Sequence, residues 1–308
     1  MPKKDYSELE AHIIQLFLQD PSFRFEGTPY RVLLAGKPRP RGHGECKTDV
    51  YVLLQDLNRG LTREVKISVK TEGKQEFQEN KITAERAAAL WGPQWQAVVG
   101  MVSLALKDRF ERQALLYPHG YQHTKPNSIT LGWKLEMANK PRELGAPLPL
   151  SDREVRDYIY KGTNQPEAKR NACLDGNVIP DSGVAEYLLV SSVFRLHSAE
   201  DVLTQMQPID TVPLDPMYLI FTANNYRTDA NKSEVEKADG RRPLAVWIEW
   251  TCVQGKLYHR FHYDQPLLRT GGGDVAVLAR QALTQLGCQD ITDIDPRTDL
   301  ACPEIYKA

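Results

Sequence analysis

The stretch from Glu45 to Lys70, ECKTDVYVLLQDLNRGLTREVKISVK, restricts the fold of this chain more than any other. Two largely apolar runs, 48–55 and 61–70, are joined through DLNRG, the pattern of a β-hairpin. Side chains alternate between faces along a strand. Val65, Ile67 and Val69 therefore point one way, and Glu64, Lys66, Ser68 and Lys70 the other. In the first run Val50, Val52 and Leu54 share one face, Asp49, Tyr51 and Leu53 the other. The apolar face suits packing against a helix. The opposite face gathers two carboxylates and two lysines beside an arginine-rich loop.

The flanking sequence supplies such helices. DYSELEAHIIQLFLQD sets Leu9, Ile13, Leu16 and Phe17 at helical spacing. YRVLLAG reads as a strand, followed by KPRPRGHGECK, too rich in Pro, Gly and Arg for regular structure. EFQENKITAERAAALW predicts a helix, with Thr83 capping its second half, and WQAVVGMVSLALKDRFERQALL fits helix or strand. From about residue 117 the texture changes. YPHGYQHTKPNSITLG and NQPEAKRNACLDGNVIPDSG read as loops, with the capped helix SDREVRDYIYKG between them. AEYLLVSSVFRL and MYLIFTANNYR read as strands. PLAVWIEWTCVQ and KLYHRFHYDQ form a hairpin meeting at Gly255-Lys256, and VAVLARQALTQLG is a late helix. The expectation is an α/β (α+β) protein with a core over residues 1–117. Residues 118–308 add strands and loops, as a second domain or as insertions in one.

A polar strand face of this composition suits metal-assisted phosphodiester hydrolysis. Carboxylates hold a hard cation such as Mg²⁺ through oxygen. The cation polarises the phosphate and acidifies a bound water, and a neighbouring lysine orients that water or stabilises developing charge.

These residues resemble the PD-(D/E)xK nucleases, the superfamily of most type II restriction endonucleases. The resemblance covers roughly residues 6–100. It implies a restriction-endonuclease-like mixed β-sheet flanked by helices, with additional C-terminal strands and loops. In that family an aspartate opens one hairpin strand, and an acidic residue and a lysine, one position apart, lie on the next. Here Asp49 follows Thr48 where the family has proline, and Glu64-Val65-Lys66 supplies the literal E-x-K. A symmetric turn, however, sets Asp49 opposite Ser68, about 5 Å away. Glu64 then lies about 13 Å along the strand. That geometry favours Ser68-Val69-Lys70, which resembles restriction enzymes in which serine replaces the acidic residue. The missing carboxylate would then come from the following helix, from Glu85, Glu79 or Glu76, or from Glu45. An asymmetric turn or a bulge would restore Glu64. The resemblance thus implies a Mg²⁺-dependent (alternatively Mn²⁺-dependent) site-specific endonuclease. Asp49 with Glu64 or Glu85 would be the metal ligands, Lys66 or Lys70 would assist the nucleophile, and the protein would act as a homodimer on double-stranded DNA. Residues 118–308 would complete the core and serve target recognition or dimerisation.

Other segments fit the same substrate. Lys37, Arg39 and Arg41 in KPRPRGHG suit phosphate contacts, which give affinity without sequence information. Lys161, Lys169 and Arg170 in YIYKGTNQPEAKRNACLDG, and Asn224, Asn225 and Arg227 in TANNYRTDANK, suit base edges. His259 and His262 are three apart in a strand, hence on opposite faces, which argues against a shared metal. TGGGDV lacks the lysine of a phosphate loop and reads as a helix lead-in. The net charge of −1 excludes a general polyanion binder and leaves room only for a local basic surface. The N-terminal MPKKDYSELEAH has no apolar signal region, and no run reaches the roughly 18 apolar residues of a membrane span. A cytoplasmic protein with reduced, mostly buried cysteines is expected.

Overall fold

The computed structural model describes residues 4–72, 78–80, 82–229 and 241–307. The chain forms two units: Met1–Gln75, Ala89–Gly92 and Leu150–Asp215 in one, Glu76–Ala88, Pro93–Pro149 and Pro216–Ala308 in the other. A single cut near residue 117 does not describe it. The chain leaves the first unit after its fourth strand and later returns, so residues far apart in sequence share a core. The protein is mixed α/β, as its periodicities require.

The first unit opens with helix α1 (Lys4–Gln19) and an antiparallel run of strands, β1 (Ser22–Phe25), β2 (Thr28–Gly36), β3 (Val50–Asp56) and β4 (Thr62–Thr71). The strand Tyr187–Ser191 then pairs with β4 in parallel, and the short strand Gln207–Pro208 closes the six-stranded sheet. Leu9, Ile13, Leu16 and Phe17 of α1 are buried, as their spacing predicts. They pack with Val50, Val52, Leu54, Val65, Ile67 and Val69, and with Val202 and Leu203 of the helix Ala199–Gln205. Burying each such side chain contributes on the order of 1.5–3 kcal/mol, so this layer fixes the hairpin. Its turn is held by the Asp56 carboxylate, which accepts from the Asn58 and Arg59 backbone N–H groups at 2.8 and 3.1 Å.

Two segments that read as loops are tied together in this unit. Arg39 and Cys173 exchange backbone hydrogen bonds at 2.9 and 2.8 Å, and the Arg41 N–H donates to the Ala168 carbonyl at 2.8 Å. The N–H groups of Lys47 and Thr48 both donate to the Gly183 carbonyl, at 3.0 and 3.2 Å. Proline in place of Thr48 would forfeit one of these bonds. Gly183 itself sits where a Cβ would fall 1.9 Å from the Lys169 carbonyl oxygen. ACLDGNVI, read as irregular, is a hairpin whose strands Ala172–Leu174 and Asn177–Ile179 turn at Asp175-Gly176, both at positive φ. SDREVRDYIYKG starts with the expected capping box between Ser151 and Glu154, then winds as a π-helix from Val155 to Lys161.

The second unit is a seven-stranded antiparallel sheet. Its central strand, Ser128–Ala138, corrects the reading of SITLG as the end of a loop: Ile129, Leu131, Trp133, Leu135 and Met137 alternate with Ser128, Thr130, Gly132, Lys134 and Glu136, the period of a strand. Tyr218–Arg227 and the hairpin Val246–Val253/Lys256–His262 extend the sheet. That hairpin turns at Gln254-Gly255, both at positive φ, one residue before the expected corner. The helix Ala276–Leu286 packs on Val246–Val253 and ends at Gly287. WQAVVGMVSLALKDRF is helical, over Trp95–Ala105 and Lys107–Glu111. Among the described residues the expected helix at 76–91 covers Ala84–Trp91, with the Thr83 hydroxyl accepting from the Arg86 N–H at 3.2 Å. All five cysteines are free, but only Cys46 is buried; the other four are half-buried. Among the described residues no helix is long and apolar enough to cross a membrane.

Candidate active site

The β3–β4 register decides which half of the polar face belongs to Asp49. Val50 pairs with Ile67, Tyr51 with Lys66 and Leu53 with Glu64. Asp49 therefore stands opposite Ser68, its N–H donating to the Ile67 carbonyl at 2.8 Å. The Asp49 Oδ2 accepts from the Val69 N–H at 2.7 Å and from the Ser68 hydroxyl at 3.3 Å. This is the symmetric register, and it joins Asp49 to Ser68-Val69-Lys70. Burial pushes the Asp49 carboxyl above its ordinary value, against the opposing pull of the Val69 N–H and of the Lys70 and Lys37 charges. Lys70 itself is exposed at the end of β4.

A second carboxylate reaches this place from an unexpected element. Glu10 lies on α1 beside Leu9 and is 8% exposed. It is bonded to the Lys37 ammonium from the loop after β2. Burial raises the Glu10 carboxyl, and the Asp49 charge adds to that, outweighing the Lys37 bond. Burial alone would depress Lys37, but its bond to Glu10 and the Asp49 and Glu45 charges hold it above its ordinary value. Cys46 lies in the same electrostatic neighbourhood, and burial pushes its thiol up to about 11.

Glu64 and Lys66 are engaged elsewhere on the same face. The Tyr51 hydroxyl donates to Glu64 at 2.6 Å, and the Lys66 ammonium lies 2.9 Å from Glu186 and 3.7 Å from Glu64. Lys66 is 6% exposed, so this literal E-x-K is a closed ion-pair network, not a partner of Asp49. Glu85 belongs to the second unit, in the first turn of the helix Ala84–Trp91. Glu79, also there, pairs with Arg86 at 2.5 Å. Glu76 lies outside the described residues.

The basic residues sort by segment. Arg39 is exposed, and Arg41 bonds Glu167 at 3.2 Å. Lys161 pairs with Asp210 at 2.6 Å and Arg170 with Asp181 at 3.3 Å, while Lys169 comes close to Gly44 and acts on Cys46. The backbone ties between 39–48 and 168–183 therefore gather both basic segments in one unit, near the Asp49 end of the sheet. The second-unit candidates differ. Asn224 is 0% exposed and packs where a Cβ on Gly271 would lie 2.6–2.8 Å from its amide, so it cannot contact a base. Asn225 accepts from the Thr130 hydroxyl at 2.9 Å, and Arg227 makes a two-pronged bond to Asp229 at 3.1 and 3.0 Å. His259 and His262 sit under different tryptophans, Trp250 and Trp247, as opposite faces require.

Among the described residues no group of three or more His, Cys, Asp or Glu side chains is placed to hold a metal ion. Asp49 and the buried Glu10 offer two carboxylates here, and Glu45, exposed just ahead of Asp49, acts on Glu10 and Lys37 as well. That donor set fits Mg²⁺ or Mn²⁺ better than Ca²⁺ or Zn²⁺, because Mg²⁺ keeps several waters and takes one or two carboxylates plus substrate phosphate. The chain matches no family model, no curated protein and no solved structure with which it was compared.

Proposed function

We propose that this protein is a Mg²⁺-dependent endonuclease acting on double-stranded DNA, of the PD-(D/E)xK kind and site-specific. The observation that carries the reading is the register, in which Asp49 takes the Val69 N–H and the Ser68 hydroxyl, with Lys70 two residues along the same face. A mixed sheet carrying helices, with aspartate opening one hairpin strand and a serine–lysine pair on the next, is the arrangement the resemblance implies. Asp49 and Glu10 would hold the ion, which would polarise the scissile phosphate and acidify a water. The Val69 N–H and the Ser68 hydroxyl fix the orientation of the Asp49 carboxylate. Lys70 positions the attacking water and balances charge on the phosphate. Arg39, Arg41, Lys161, Lys169 and Arg170 supply the phosphate-binding surface. Several of these are held only by exposed ion pairs, each worth about 0–1 kcal/mol, so exchanging such a partner for a phosphate costs little. A homodimer suits a two-fold target, and the cytoplasm suits a DNA enzyme with free thiols.

The test is cleavage of several long DNAs, methylated and unmethylated, with Mg²⁺ and with EDTA, beside Asp49→Ala. Discrete Mg²⁺-dependent fragments lost in the variant are expected. A smear would keep the nuclease but remove the fixed site. DNA binding without cutting, the same in both proteins, would leave a non-catalytic binding module.

A further inference from the structure

The Lys37–Glu10 pair is oddly placed for a stabilising ion pair. The Glu10 side chain is only 10% exposed while the Lys37 side chain is 45% exposed, so a buried carboxylate is satisfied by a lysine standing in solvent. Asp49, on a different element, is within electrostatic reach of both. Lys37 enters from the solvent side, at the end of a loop whose later residues are pinned at Arg39, Arg41, Lys47 and Thr48. Lys37 lies ahead of these pinned residues, and its four-carbon stem can swing without moving the loop. The ammonium thus occupies the side from which a hydrated cation would approach Glu10. An ammonium brings one positive charge and three directed N–H donors, whereas a divalent ion brings two charges and can take oxygens of both carboxylates into one coordination sphere.

We propose that Lys37 is a built-in counter-cation for the Glu10 carboxylate: it holds the ligand set in place in the metal-free protein and is displaced from Glu10 when a divalent ion binds. Freed, it remains on the loop that presents Arg39 and Arg41 and can pass to a DNA phosphate. Lys37 is therefore a positioning residue that couples ion binding to substrate binding. The inference rests on the reading of Asp49 and Glu10 as an ion site.

The experiment is calorimetric titration of Mg²⁺ and Mn²⁺ into wild type, Lys37→Met, Lys37→Arg and Asp49→Asn, with no DNA present. Without the competing ammonium, Lys37→Met should bind Mn²⁺ about tenfold more tightly, the factor expected for relief of one charge-assisted bond. Lys37→Arg, which keeps the charge, should stay within a few-fold of wild type and guards against a folding defect in the methionine variant. The melting temperature of Lys37→Met in EDTA should fall, and Mn²⁺ should raise it by more than in wild type. Equal or weaker Mn²⁺ binding by Lys37→Met, with Lys37→Arg intact, overturns the counter-cation role. If neither wild type nor Lys37→Met binds ions, the role is likewise overturned. The separate cleavage assay with Asp49→Ala then reports whether the nuclease reading survives.

Discussion

The two ends of one strand face carry nearly the same motif and do different things. Glu64-Val65-Lys66 and Ser68-Val69-Lys70 lie on β4, face the same way and place a lysine two residues after an oxygen-bearing side chain. At the first, Lys66 is buried between Glu186 and Glu64, and Tyr51 ties Glu64 down. At the second, Ser68 and the Val69 N–H hold Asp49, and Lys70 is exposed. The better match to the motif is thus the one tied up in ion pairs. What separates them is the partner strand. The antiparallel register brings Leu53 to Glu64 and Asp49 to Ser68, and four residues of offset along β4 put the two sites about 13 Å apart.

This contrast can be broken by reciprocal substitutions. Lys70→Met should lower the DNA cleavage rate on the order of 10²–10³-fold, the range for losing one preorganised electrostatic stabiliser, with a smaller change in melting temperature than Lys66→Met. Lys66→Met should do the reverse: leave the rate within a few-fold and lower stability by about 1–2 kcal/mol, since Glu64 and Glu186 lose their shared cation. Rates and melting curves on both variants check this, and an inactive, stable Lys66→Met would return the site to Glu64.

A smaller effect should come from the basic surface. Arg39→Ala should weaken DNA binding by a similar factor for every sequence and reduce the slope of log affinity against log salt by about one. Fluorescence anisotropy across a salt series measures it. A loss confined to one DNA sequence would make Arg39 a base reader instead.

The smallest effect concerns stability alone. The folded Asp49 carboxyl lies above its ordinary value of 3.8, so in that range the folded state binds a proton more readily than the unfolded state. Stability contributed at this position therefore falls as pH rises from about 3.8 through the folded value. Asp49→Asn cannot ionise, so it should melt higher than wild type at neutral pH, and the two curves should converge in acid. Melting temperature against pH tests this. A less stable variant at neutral pH would mean that the ionised carboxylate is favoured by its neighbours after all.

Local periodicity was enough for α1, the β3–β4 hairpin, the Val246–His262 hairpin and the late helix, because each depends on neighbours in sequence; for the β3–β4 register it allows either a symmetric turn or a bulge. The symmetric turn alone placed Asp49 opposite Ser68, and burial of Leu9, Ile13, Leu16 and Phe17 follows from their spacing. The strand Ser128–Ala138 was legible in its strict alternation, behind the loop-like residues just ahead of it; what alternation did not show is that both faces are buried, with Ser128, Thr130 and Lys134 inside. Nor was Asn224 legible as a buried residue; only the close approach of Gly271 shows it. Glu10 is the clearest case. In sequence it is one of several acidic residues on a helix; its spacing to Ile13 and Phe17 sets it at the edge of the apolar face and Glu8 away from it, but nothing local says what it meets there. Packing of α1 on the sheet and the return of the chain to Lys37 are long-range events, and they alone carry that carboxylate to the electrostatic neighbourhood of Asp49. The sequence determined the strand face and favoured its register because alternation and turn length are short-range. The tertiary structure decided which charges meet across it, because charge pairing depends on segments that the chain brings back from far away.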